Sequence, residues 1–76
     1  MTQYLGHKNR AHWNVSLWIS NEEPLYREAV RLMRKYPKHP GRATFAMLNQ
    51  LPSKTPDGYR YSFSAVKAAL IGLEVS

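Results

Sequence analysis

Residues 21–36 have the sequence NEEPLYREAVRLMRKY, which carries the clearest helical pattern in the chain. At about 100° per residue, the apolar and aromatic side chains fall in one arc and the cations fall on the opposite side. The apolar arc consists of Leu25, Tyr26, Ala29, Val30, Leu32, Met33 and Tyr36. The cationic side consists of Arg27, Arg31, Arg34 and Lys35. The pattern predicts an amphipathic helix with one packed face and one solvated, positively charged face.

Both ends of this helix carry signals that favour a start and a stop. Asn21 suits the N-cap position, because its side-chain oxygen can accept a backbone N–H of the first turn. Glu22 and Glu23 place carboxylates beside the positive end of the helix dipole. Pro37 disfavours helical geometry at the residue before it, so we expect the helix to end at about Tyr36.

The preceding segment, residues 12–20, is the most apolar part of the chain and allows two interpretations. Its apolar residues Trp13, Val15, Leu17 and Ile19 alternate along the chain, which is typical of a strand. A lone strand has no pairing partner here, whereas a short helix that is buried on several sides is also apolar all round. We favour the helix and keep the strand as the alternative. Residues 1–11 are polar and predict an N-terminal arm.

Proline and glycine divide the second half of the chain into elements. A third helical pattern starts at Pro40, which suits a first turn, and ends at Leu51 before another proline. Residues 55–58, Thr-Pro-Asp-Gly, predict a β-turn. Ser62 is a suitable N-cap for a fourth helix.

These elements predict an all-α fold, a bundle of about four short helices that forms a single domain over residues 1–76. The chain contains no cysteine, so packed side chains or a partner must stabilise it, and disulfides and thiolate metal sites are excluded. The predicted core consists of Trp13, Leu17, Leu25, Ala29, Leu32, Tyr36, Met47, Leu51, Val66 and Leu70.

Two segments of the chain resemble a known group of proteins. Residues His12 to Tyr26, HWNVSLWISNEEPLY, resemble the pattern Trp-Asn-Val-x-Leu-Trp-Ile-x-Asn-Asp/Glu-Glu-x-Leu-Tyr of small proteins encoded by bacteriophages and related mobile elements. Residues 56–58, Pro-Asp-Gly, are similar to a tripeptide towards the end of many such proteins. The resemblance implies a phage or prophage accessory gene, and it implies no particular reaction.

The residues that enzymes use are scarce in this chain. It has three histidines and five carboxylates, and the two carboxylates near position 22 are explained as first-turn charges. His7 and His12 are five residues apart, which is not a usual ligand spacing, and His39 has no carboxylate near it in sequence. We therefore expect no catalytic site, no metal site and no cofactor, and we interpret Trp13 and Trp18 as core residues rather than cofactor walls.

The cationic face is the one feature that suggests binding. The candidate partner-binding or phosphate-binding residues are Arg27, Arg31, Arg34, Lys35 and Lys38. Arginine offers a planar fork of donors that suits phosphate or carboxylate, and the net charge of +6 favours a polyanionic partner. The alternative is a solvated face whose charges keep the protein soluble.

Two functions fit these features. The first is a non-enzymatic accessory protein that binds a host protein or protein–nucleic-acid complex stoichiometrically, for example an anti-defence inhibitor such as an anti-CRISPR. The second is a small basic module that contacts nucleic-acid phosphates through the second helix. No apolar run is long enough to span a bilayer, so we expect no membrane partner and a cytoplasmic location. The resemblance to phage-encoded proteins implies that this cytoplasm is that of an infected or lysogenic bacterial host. The sequence leaves the oligomeric state open.

Overall fold

The computed structural model describes residues 9–73, and this part of the chain is an all-α bundle, as the sequence predicts. None of its helices is long and apolar enough to cross a membrane. The four helices are α1 (Arg10–Asn21), α2 (Glu23–Lys35), α3 (Pro40–Leu48) and α4 (Phe63–Ile71). Helix α1 packs against α4 and α2, and α3 packs against α4 and α2.

Helix α1 contains all of residues 12–20, so the helical interpretation of this segment is confirmed and the strand alternative is wrong. Asn9 caps the helix, because its side-chain oxygen accepts the backbone N–H of His12 at 2.9 Å. The last two residues of the predicted arm, Arg10 and Ala11, are therefore helical, and residues 1–8 lie outside the described residues.

The junction between α1 and α2 differs from the prediction. Asn21 is the last residue of α1 and does not cap α2. Only Glu22 separates the two helices, with an extended backbone of φ −85° and ψ 113°. Its N–H donates to the carbonyl of Trp18 and its carbonyl accepts the N–H of Tyr26, so one residue ends α1 and begins α2. Glu22 therefore occupies the N-cap position of α2, and its side chain makes no cap hydrogen bond.

Helices α2 and α3 end at slightly different residues than expected. Helix α2 ends at Lys35, with Tyr36 at the C-cap and Pro37 after it, close to the predicted end. Helix α3 begins at Pro40 as predicted but ends at Leu48 instead of Leu51. The chain continues in tight turns there, in which the N–H of residue 50 donates to the carbonyl of residue 47 and that of residue 51 to residue 48.

The predicted β-turn and the fourth helix are confirmed. The N–H of Gly58 donates to the carbonyl of Thr55 at 2.8 Å, and Gly58 has a φ of +93°, which favours glycine. Lys54 and Arg60 form an isolated antiparallel bridge on either side of the turn. Ser62 caps α4, because its hydroxyl oxygen accepts the N–H of Ala65 at 3.2 Å.

The core lies where the four helices meet, and the sequence predicted about half of it. Ala29, Leu32, Met47, Val66 and Leu70 are buried as expected. Leu25, Tyr36 and Leu51 are partly buried against the core. Trp13 and Leu17 were expected in the core, but both are only half-buried, because α1 turns a different side inward. The buried hydrophobic residues that the prediction missed are Val15, Ile19, Ala43, Tyr61, Ala65 and Ala69.

Candidate functional site

The cationic face of α2 is exposed, which is the orientation that its periodicity predicts. Arg27, Arg31, Arg34 and Lys35 are solvent-exposed, and Lys38 is exposed in the turn after the helix. Ala29 and Leu32, on the opposite side of the same helix, are buried in the core. Packing of that apolar side therefore fixes the direction in which the arginines project.

Two of the arginines are paired with carboxylates of the same helix. Arg27 donates to Glu23 at 2.7 Å, one helical turn earlier. Arg31 donates through Nε to Glu28 at 2.8 Å and makes a second bond through Nη2 to the other oxygen. The first pair is highly exposed and contributes little to stability, because water and salt screen it. Both pairs restrict the positions of the guanidinium groups.

Glu28 connects the cationic face to the end of α3. Its carboxylate accepts hydrogen bonds from Arg31 and from the side-chain amide of Gln50, a residue just after α3. These hydrogen bonds, Arg31 first, lower the pKa of Glu28 from 4.5 to about 2, and the charges of Arg31 and Lys35 add to the effect. Arg31 is therefore part of a contact between α2 and α3 as well as part of the exposed face.

A shallow, open groove of about 460 Å³ lies along α2 between the arginines. We call it the arginine groove, and it is lined by Tyr26, Arg27, Val30, Arg31 and Arg34. The groove brings three of the five predicted site residues together. Tyr26 and Val30 were expected on the packed face, but Tyr26 is 41% exposed and forms part of the groove. Both side chains lie at the edge of the apolar arc, next to the arginines, and they therefore line the groove instead of filling the core.

The other two predicted residues do not line the arginine groove. Lys35 places its Nζ 5.5 Å from the ring centroid of Tyr36, a weak cation–π contact at the C-terminal end of α2. Lys38 follows the helix, and among residues 9–73 neither it nor Arg34 forms a salt bridge. Arg34 is therefore the groove cation with the most freedom to bind an anion.

A second polar cluster, which the sequence pattern does not predict, joins α1 to the β-turn. The Oδ2 atom of Asp57 accepts hydrogen bonds from Asn14 Nδ2 at 2.8 Å and Trp18 Nε1 at 2.9 Å. Thr55 donates through its hydroxyl to Asn14 Oδ1 at 2.8 Å and accepts the backbone N–H of Tyr59. Asn14 and Thr55 are buried, and every buried polar side-chain atom in the described part of the chain has a partner.

This cluster has the properties of a structural clamp. The hydrogen bonds from Asn14 and then Trp18 lower the pKa of Asp57, so they favour its charged form. The clamp brings together the tryptophan-rich segment and the Pro-Asp-Gly segment, which are about forty residues apart in sequence. It also explains why Trp18 is half-buried: its ring edge reaches a carboxylate at the surface. The sequence predicted that Trp13 and Trp18 are core residues, but neither is among the buried residues.

The described residues include no group of three or more histidine or acidic side chains that could hold a metal ion. His12 lies 3.3 Å from the hydroxyl of Ser64 through its Nε2 atom, and His39 is exposed before α3. His7 lies outside the described residues. The side chains that line the arginine groove are suited instead to bind an anion through arginine.

Comparison with known proteins gives the family of this chain. A protein-family model matches residues 1–72, and its description is a family of unknown function, DUF7249. The match covers most of the chain, so the protein belongs to this family. No curated protein and no solved structure matches the chain.

Proposed function

We propose that this DUF7249 protein is a non-enzymatic accessory protein of a phage or mobile element that binds a host protein or protein–nucleic-acid complex stoichiometrically. More specifically, we propose that the protein is an anti-defence inhibitor, such as an anti-CRISPR, that acts in the cytoplasm of an infected or lysogenic bacterial host. The observation that carries the binding role is the arginine groove, which three arginines and an exposed tyrosine line together. The resemblance of residues 12–26 to phage-encoded proteins supports the origin.

The chemistry of the groove indicates the kind of surface it fits. Arginine binds carboxylate and phosphate through two parallel hydrogen bonds, and tyrosine adds apolar contact area at a low entropic cost. Tyrosine and arginine are both enriched at the energetic centres of protein interfaces. An acidic protein surface, or the nucleic-acid part of a host complex, would complement the groove.

A pull-down from host lysate tests this proposal with a matched pair of variants. Arg27→Gln with Arg34→Gln removes two groove charges and leaves intact both the Arg31–Glu28 pair and the bond from Gln50 to Glu28. Lys54→Gln with Arg60→Gln removes two exposed charges beside the β-turn and serves as the control. We expect the wild type and the control to retain one partner in stoichiometric amounts, and the groove variant to lose it. Equal recovery by all three proteins, or no partner at micromolar bait, would contradict the proposal.

A second candidate function is direct binding of nucleic-acid phosphates by the same groove. Within residues 9–73 the groove cation Arg34 forms no salt bridge, nor does Lys38 beyond the end of the helix, and such cations are free to replace phosphate counterions. The slope of log affinity against log salt falls by about 0.9 for each phosphate contact on duplex DNA. We expect the groove variant to reduce this slope by about two contacts and the control variant to leave it unchanged. Nuclease treatment of the pull-down separates binding of an acidic protein surface from binding of nucleic acid, since only a partner held through protein contacts survives it.

A further inference from the structure

Both phenylalanines of the chain lie side by side on the surface between α3 and α4. Phe45 belongs to α3, and Phe63 is the first residue of α4. Their ring centroids are 5.1 Å apart and the ring planes are inclined by 56°, a tilted contact of the kind that aromatic rings prefer. Phe45 is nevertheless 65% exposed and Phe63 is 37% exposed. We call these two residues the aromatic pair.

The core of the described residues is built without the aromatic pair. Its buried hydrophobic side chains are aliphatic, apart from Met47 and Tyr61. Phe63 lies over the start of α3, where a Cβ atom at Gly41 would be 3.9 Å from its Cζ atom. Phe63 is therefore supported on one side by α3, and it holds Phe45 in turn. Phe45 thus contacts Phe63 and still leaves most of its surface exposed to solvent.

The two helices that carry the aromatic pair have charges of one sign. Helices α3 and α4 contain no aspartate or glutamate, and each contains one cation. Arg42 precedes Phe45 by three residues and Lys67 follows Phe63 by four, spacings that place side chains next to each other on a helix. Within residues 9–73 neither cation forms a salt bridge. The surface thus combines an open aromatic ring with flanking positive charge.

We infer that the aromatic pair is a binding site for single-stranded nucleic acid, in which a base stacks on Phe45 and Arg42 and Lys67 contact the flanking phosphates. Aromatic rings beside cations are the usual means by which proteins hold single strands without reading their sequence. A duplex cannot use such a site in the same way, because its bases are stacked on each other. The ring supplies the contact with the base, and the cations supply the attraction to the backbone.

Charge also argues against a second copy of this chain as the occupant. A twofold interface would apply the same patch to itself, so Arg42 and Lys67 would meet their own counterparts without a carboxylate from α3 or α4 to separate them. Like charges at such short range oppose association. A polyanion has the opposite sign and is attracted to the same patch.

The aromatic pair lies on different helices from the arginine groove, so the two sites are separate. They have in common only the class of partner, nucleic acid. Fluorescence anisotropy with a labelled oligothymidine of about 12 nucleotides tests it at low salt, with the matching duplex as a second probe. The variants are Phe45→Ala, Phe45→Leu, Arg42→Gln and, as the control, Ile71→Ala. Ile71 is 56% exposed on α4, so its truncation removes a comparable exposed apolar side chain away from the ring.

We expect Phe45→Ala to weaken single-strand binding about five- to a hundredfold, with no change in the salt slope. Phe45→Leu should weaken single-strand binding almost as much as Phe45→Ala, because leucine keeps apolar area but has no ring face. Arg42→Gln should lower the salt slope by about one phosphate contact, and Ile71→Ala should bind like the wild type. Because Phe45 is so exposed, we expect its variants to keep the unfolding midpoint of the wild type, which circular dichroism measures.

Several results would overturn the inference. These are equal affinity of Phe45→Ala and Ile71→Ala, no binding of the single strand by the wild type, and a Phe45-dependent dimer in sedimentation. Binding only to vesicles of anionic lipid would do the same. The groove variant, Arg27→Gln with Arg34→Gln, separates this site from the arginine groove. If that variant binds oligothymidine normally while Phe45→Ala does not, the single strand is held at the aromatic pair and not at the groove, and duplex binding by the groove is decided by its own salt slope. The reverse result rejects the aromatic site and places the single strand at the groove.

Discussion

Replacement of Asn14 by alanine tests the clamp between α1 and the β-turn most directly. The Asn14 side chain is 3% exposed, donates to Asp57 and accepts from the hydroxyl of Thr55, which is itself only 4% exposed. Truncation removes both bonds and leaves the Thr55 hydroxyl buried without its acceptor. A buried polar group that is left unsatisfied costs about 1–3 kcal/mol, whereas Asp57 is exposed and can accept a hydrogen bond from water in place of Asn14. Alanine recovers about 0.5 kcal/mol through its higher helix propensity.

We therefore expect Asn14→Ala to lower the free energy of unfolding by about 0.5–2.5 kcal/mol. Urea unfolding at neutral pH measures this loss, and Asn21→Ala is the matched control. Asn21 lies on the same helix but is exposed, so its substitution should change stability by less than about 0.5 kcal/mol. Equal losses for the two asparagines would refute the clamp.

Two further measurements connect the loss to the named partners. Thr55→Val removes the hydroxyl and should cost less in the Asn14→Ala background than alone, because the bond it breaks is already absent. The pKa of Asp57, followed by NMR, should move up toward its usual 3.8 in Asn14→Ala, since the first cause of its lowering is gone. Additive losses and an unchanged pKa would show that the alanine acts through packing rather than through the clamp.

The remaining predictions concern the helices. Leu32→Ala should lower the free energy of unfolding by about 2–5 kcal/mol, since Leu32 is 2% exposed; Arg31→Ala should cost far less, and comparable urea midpoints for the two variants would contradict a one-sided helix. Glu28→Gln should lose the part of the wild-type stability that depends on the lowered pKa of Glu28. This contribution is complete above about pH 4.5 and disappears as pH falls toward about 2, so unfolding curves of the two proteins should converge there; a constant difference would argue against the ion pair. Ser62→Ala should cost about 1 kcal/mol by removing the cap of α4, and an unchanged thermal midpoint would show that the cap adds nothing.

Helix α2 shows what sequence periodicity determines well. Its arginines and its leucines occupy different sides, so only one orientation buries apolar surface and keeps the charges in water. Leu32 is buried and Arg31 and Arg34 are exposed for this reason. Pro37 and Gly58 likewise act through local backbone geometry, so the end of α2 and the β-turn could be placed from the sequence alone.

Helix α1 shows where the sequence pattern is insufficient. Trp13 and Leu17 lie one turn apart, as do Val15 and Ile19, so α1 is apolar on more than one side. Hydrophobicity favours burial of the tryptophan side, yet Val15 and Ile19 are inside, and Trp18 uses its ring nitrogen to reach Asp57. The choice depends on how α4 and the β-turn pack against α1.

The sequence by itself determined the all-α class, the β-turn, the cap at Ser62 and the exposed cationic face of α2, because each depends on neighbours within a few residues. Only the tertiary structure decided that Asn14 is buried, that Tyr26 lines a groove and that Phe45 meets Phe63 at the surface. These features depend on contacts between positions that are far apart in the chain, or on which of several similar side chains enters the core. Their placement follows from the packing of whole helices, in which every buried polar atom must find a partner and every apolar side chain competes for a small core.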